Sequence, residues 1–233
     1  MRFTSIASAA CLAGAAFMAA TLVAAGPAPQ DGSKKSDTTH TDKPQKDDKT
    51  TKAEKAEIGK PAPAFSLKGV DGKTYTLADM KGKTVVIEWF SPYCPYSGQS
   101  SPDSYWSTGR ARKVMDGMKA ADPDAVYLCI NSTHPGYNGK SESENGADSA
   151  AICKDVPVLM DADGTVGKAY GAKTTPHMFV IDRAGNLAYI GAPTCDDGKD
   201  MYVVNAVAAI KDGKAPSPSV TKNKGCGVKY AKK

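Results

Sequence analysis

The chain has 233 residues, 41% of them hydrophobic, which suffices for one sizeable domain with extensions rather than two domains. The net charge of +5 is mild, and the basic residues form no stripe interleaved with aromatics, so no nucleic acid is expected as a partner. Six cysteines without a CxxC pair and three scattered histidines (His40, His134, His177) offer no metal-ligand spacing, so neither a metal nor another cofactor is expected.

The first 25 residues read as a signal peptide. Arg2 supplies a minimal positive region, Ile6–Ala25 is almost wholly apolar, and Val23-Ala24-Ala25 offers small residues for cleavage before Gly26. The alternative is an uncleaved N-terminal membrane anchor. The expected destination is the periplasm, the cell envelope or the exterior, where disulfides persist. Cys11 would leave with the signal, and the remaining five (Cys94, Cys129, Cys153, Cys195, Cys226) are odd in number, so at least one thiol is free or pairs transiently. Residues 26–57 are Lys, Asp, Thr and Pro with few large apolar side chains, the composition of a disordered linker.

A domain is expected over 58–213. Phe65-Ser66-Leu67 and Thr74-Tyr75-Thr76-Leu77, joined by Asp71-Gly72, predict a hairpin. Val85–Phe90 and Ala125–Ile130 are short, mostly apolar runs that predict buried strands. Between them the pattern is weakly helical over 97–102 and clearly helical over Arg110–Ala121. A helix over 147–153, an extended piece at Val156–Met160 and a helical turn at Val166–Tyr170 follow. Met178–Ile181 and Leu187–Ile190 read as a second hairpin, and Met201–Ile210 as a closing amphipathic helix stopped by Gly213. Residues 214–233 form a Pro-, Ser- and Lys-rich tail that contains Cys226. Strands alternating with helices, then a hairpin, predict an α/β fold with a mixed sheet and helices on both faces.

Cys94 follows the strand in Glu88-Trp89-Phe90-Ser91-Pro92-Tyr93-Cys94-Pro95-Tyr96-Ser97. Pro95 suits a first helical position, which would put Cys94 at a helix N-terminus, where free N–H groups favour a thiolate. A second element is Thr174-Thr175-Pro176-His177, where a proline opens a strand.

The set Gly59-Lys60-Pro61-Ala62-Pro63-Ala64-Phe65, Asp71-Gly72-Lys73, Cys94-Pro95-Tyr96-Ser97, Ala169-Tyr170-Gly171, Thr175-Pro176 and Phe179–Gly185 resembles the thioredoxin superfamily. Within it, the chain is similar to the redoxin branch that includes alkyl hydroperoxide reductase and thiol-specific antioxidant proteins. The nearest likeness is to a peroxiredoxin-like subgroup with a Cys-Pro-Tyr motif and a C-terminus similar to Gly225-Cys226-Gly227-Val228-Lys229-Tyr230. The resemblance implies a thioredoxin-like fold with an N-terminal hairpin extension. It places Cys94 on the nucleophilic cysteine, Pro176 on a facing cis-proline and Thr175 on the residue that pairs with an extended substrate. Tyr93 and Pro95 flank the cysteine as substrate-binding candidates. Glu88 falls on a buried proton-shuttling acid; from its own context it is equally well an exposed side chain on a strand with one wet face.

Three positions depart from the family patterns. Ser97 stands where the thioredoxin motif has its resolving cysteine, so no local disulfide can close. Ile87 replaces a peroxiredoxin proline, and Thr175-Pro176-His177 stands where peroxiredoxins carry an arginine. Cys195, beyond the late hairpin, and Cys226, on the tail, are the candidate remote resolving cysteines; Cys129 reads as a buried thiol. Asn131-Ser132-Thr133 and Asp161-Ala162-Asp163-Gly164 match fragments of a glycosylation sequon and a calcium loop and are read as ordinary structure. The expected activity is thiol–disulfide exchange with protein thiols or disulfides, fed by an electron donor the sequence does not name. The alternatives are a thiol peroxidase acting on peroxide and a redox-inactive binding module.

Overall fold

The computed structural model describes residues 55–232. The expected signal peptide and nearly all of the expected linker lie outside them. The first hairpin is β1 (Ser66–Gly69) with β2 (Thr74–Thr76), paired antiparallel across the Asp71-Gly72 turn. β3 (Val85–Trp89) and β4 (Val126–Asn131) run parallel, linked through α1 (Arg110–Ala121). α2 (Glu142–Ile152) then leads to β5 (Val158–Met160), parallel to β4, and α3 (Thr165–Tyr170) follows. β6 is the short strand Thr174–Thr175. β7 (His177–Ile181) and β8 (Leu187–Gly191) form the second hairpin, α4 (Tyr202–Lys211) follows, and the tail adds β9 (Cys226–Gly227).

The main sheet has the order β2-β1-β5-β4-β3-β7-β8. Its centre is parallel and its flanks antiparallel, because crossover helices join the former and tight turns the latter. This is the thioredoxin-like α/β fold with a mixed sheet that the sequence predicts. β3 lies between β4 and β7 and is buried on both faces. Val86 and Phe90 join Val114, Met118, Val203 and Val207 from α1 and α4 on one side. Val85, Ile87 and Trp89 meet Leu128, Phe179 and Tyr170 on the other. Each fully buried Ile or Leu contributes ~2 kcal/mol, so this double-sided core holds the strand register firmly. α2 starts earlier than its apolar pattern shows because Ser141 and Glu144 form a reciprocal capping box.

The helix expected to begin at Cys94 is corrected by the structure. Residues 94–98 make one turn, in which the Ser97 and Gly98 N–H groups donate to the Cys94 carbonyl at 3.2 and 2.8 Å. Regular helix starts only at Arg110. Pro102 brings no N–H, and Ser101 and Ser104 accept from the Asp103 and Ser107 N–H groups at 3.2 and 3.0 Å, diverting the backbone from a helical ladder. Gly98 is required here by close approach: a Cβ would lie 2.3 Å from the Pro92 carbonyl oxygen.

Candidate active site

The parallel strands β3 and β4 end at the same edge of the sheet, where such folds place their ligands. The loop after β3 brings Cys94 to this edge, and the Thr175–Pro176 bond, which is cis, arrives from the neighbouring β6–β7 segment. Cys94 is 2% exposed, and as a thiol it donates to the Thr175 carbonyl at 3.0 Å. The Tyr96 N–H points at the sulfur from 3.4 Å.

Cys226 comes to the same place from the tail. β9 pairs antiparallel with β6, with Cys226 opposite Thr175 and Gly227 opposite Thr174. This register sets Cys226 beside Cys94, and the two thiols influence each other's acidity. The two thiols are pushed apart in acidity. Burial raises Cys94, but the polar groups of Thr175, Cys226 and the Tyr96 N–H around its sulfur outweigh it, leaving the thiol more acidic than usual. Cys226 is pushed up to about 11, first by burial and then by its hydrogen bond to Cys94 and the charge there. Cys94 is thus the more acidic thiol of the pair and the first to lose its proton. The stabilising groups are discrete donors, not the dipole of a long helix.

Glu88 is fully buried, so it is not the exposed side chain on a wet face that its sequence context allowed. It sits beside Cys129 in the β3–β4 register, on the face shared with Tyr127. Tyr127 Oη donates to it at 2.7 Å, Trp106 Nε1 at 3.2 Å and Ser97 Oγ at 3.4 Å. Burial raises its pKa to about 7, against these hydrogen bonds, so near neutral pH it both holds and releases a proton. Ser97 thereby links the Cys94 turn to this acid. Trp106 and Tyr127 were not singled out from the sequence; only the strand register and the folded loop reveal them.

The flanking candidates separate. Tyr93 turns toward α2, its hydroxyl held by Asn145 and Asp148 at 2.7 and 2.8 Å, and so anchors the loop. Pro95 is exposed at the mouth of the site, next to Tyr96, which is 47% exposed and offers an apolar contact that sequence reading missed. Cys195 makes its contacts within its own loop, with Asp197 at 2.8 Å and the Asp200 N–H at 3.0 Å. Cys129 and Cys153 are buried beneath the site and are less acidic than ordinary thiols, in both cases chiefly because of burial. His177 is pushed down to about 4 by burial and by the Lys173 charge, and the Lys173 N–H donates to its Nδ1, so it is neutral at pH 7. Among the described residues no cluster of His, Cys, Asp and Glu could hold a metal ion.

A thiol-disulfide oxidoreductase ResA of Bacillus thuringiensis is 29% identical over 139 residues, 59% of this chain and 70% of the relative. A thiol:disulfide interchange protein DsbE of Pseudomonas aeruginosa is 28% identical, over 57% of this chain and 64% of its own. A peroxiredoxin of Cynops pyrrhogaster is 31% identical over 59% of this chain and 70% of its own. Among solved structures, a hypothetical protein of Sinorhizobium meliloti superposes with a TM-score of 0.61 at 26% identity, over 76% of this chain and 96% of that one. The family described as Redoxin matches residues 57–207, and the chain belongs to it.

Proposed function

We propose that this protein is a thiol–disulfide oxidoreductase that acts on protein thiols or disulfides outside the cytosol, with Cys94 as its nucleophile. The observation that carries this reading is the placement of an acidified cysteine against the Thr175 carbonyl at the sheet edge, above a buried acid. The thiolate of Cys94 attacks one sulfur of a substrate disulfide, a Cys94–substrate bond forms, and the other substrate sulfur leaves as thiolate. Glu88, reached through Ser97, holds the proton that this exchange moves. Relatives named as thiol-disulfide oxidoreductases support the reaction class. Export is supported by the apolar Ile6–Ala25 stretch behind Arg2, and a mature N-terminus near Gly26 would bear it out.

Peroxide reduction is less well served, because a peroxidase site uses a cationic partner where this chain has a neutral His177. The test is reduction of a protein disulfide such as insulin in the presence of a dithiol. Activity should be present in the full chain and fall to background in Cys94→Ser. Peroxide consumption dependent on Cys94, without disulfide reduction, would move the assignment to a thiol peroxidase.

A further inference from the structure

We infer that Cys226 is the resolving thiol of Cys94, delivered on a strand that occupies the edge an extended substrate would use, so that resolution and substrate pairing exclude each other. This rests on Cys94 being the nucleophile of the exchange reaction.

Ser97 removes the usual local partner, and Cys195 is engaged within its own loop. Among the described cysteines, Cys226 is the one whose backbone pairs with β6, directly opposite Thr175. Its position is built, not incidental. Thr221 N–H donates to the Ile190 carbonyl at 3.0 Å, Val228 N–H to Lys173 at 3.1 Å, and the Lys229 carbonyl accepts from His134 at 2.9 Å. Tyr230 closes the tail: its hydroxyl donates to the Ala172 carbonyl at 3.0 Å, and its ring fills space that a Cβ on Gly164 or Gly167 would take. Gly225 passes so close to β6 that a Cβ would lie 2.1 Å from the Thr175 carbonyl oxygen.

A substrate strand pairing at Thr175 must displace β9. Once the mixed disulfide has formed, the returning strand brings the Cys226 sulfur back to Cys94. Cys226, deprotonated, attacks the Cys94 sulfur; the Cys94–substrate bond breaks, and the second substrate sulfur leaves as thiolate and takes a proton. The products are a Cys94–Cys226 disulfide and a substrate reduced by two electrons. An external dithiol, oxidised in turn to its disulfide, restores both thiols.

The test mixes the reduced full-length protein with glutathione disulfide, quenches with acid at intervals and follows the mass of each species. The unsubstituted protein should pass to an internal disulfide that peptide mapping joins as Cys94–Cys226, with little glutathione adduct. Cys226→Ser should accumulate the adduct on Cys94, while Cys195→Ser behaves as the unsubstituted protein. Gly225→Val keeps the thiol but unseats the strand, and should slow closure by about tenfold or more. With a cysteine-containing peptide disulfide in Cys226→Ser, the Val228 amide should exchange faster once the adduct forms. An adduct that clears from Cys226→Ser at the unsubstituted rate, or a disulfide mapped to Cys195, overturns the resolving role and leaves the parent reading standing. Unchanged Val228 exchange overturns the shared edge. If Cys94 takes no adduct in Cys226→Ser, the parent reading fails and this one with it.

Discussion

At the scale of the residue, Glu88 and Cys94 give predictions of opposite character. Glu88 has its acidity lowered by burial, with a folded pKa of about 7 against an ordinary value of 4.5. A carboxyl raised on folding favours the folded state while protonated, so its contribution is fully present below pH 4.5 and is lost as pH rises through about 7. Glu88→Gln should therefore flatten the fall in stability between pH 5 and 8 and leave the protein more stable at pH 8, by up to about 3 kcal/mol. Urea denaturation at the two pH values checks this; a gain equal at both would show that ionisation is not the cause. For Cys94, the rate of alkylation against pH should give a midpoint below the free-thiol value of about 8.5. In Cys226→Ala that midpoint should rise, because a polar group that lowers the Cys94 pKa is gone. A midpoint that stays put would mean that Thr175 and the Tyr96 N–H suffice.

At the scale of the element, the turn after Cys94 is the most constrained piece of backbone in the site. In Gly98→Ala, the new Cβ meets the Pro92 carbonyl at 2.3 Å, and backbone rather than a flexible side chain must yield. We expect a loss of about 2 kcal/mol in urea denaturation, together with faster alkylation of Cys94 as the turn opens. This same turn shows where sequence reasoning stops. The strands and α1, with apolar runs and clear periodicity, were legible because burial writes them into composition. The helix expected at Cys94 was not there, since Pro95 at a favourable first position says nothing about whether the next three turns can propagate through Gly98, a serine run and Pro102. Cys94, Thr175 and Pro176 could be read from local motifs. Tyr127 and Trp106 could not, because they reach Glu88 only through strand register and a folded loop.

At the scale of the whole molecule, the tail is a long strap closed on the far side of the domain from its point of departure. A Cys94–Cys226 bond would span most of the folded chain, and the chain-entropy argument gives such a loop a stabilisation of at most about 5 kcal/mol. The oxidised protein should accordingly melt at a higher temperature than the reduced one, and Cys226→Ser should show no difference between the two conditions. Equal melting temperatures for the unsubstituted protein would mean that no Cys94–Cys226 bond closes this loop, or that strain in it cancels the gain. Strand β9 has one more consequence. It contributes nothing to the main sheet, whose strands and helices are complete by Lys211. A polypeptide emerging from the ribosome or a translocation pore can therefore complete the main sheet and all four helices before Cys226 exists. If Cys226 resolves Cys94 as proposed, a chain cut short in that interval would hold a partner in a mixed disulfide without releasing it, so completion of the last few residues would separate a turnover catalyst from a single-use trap.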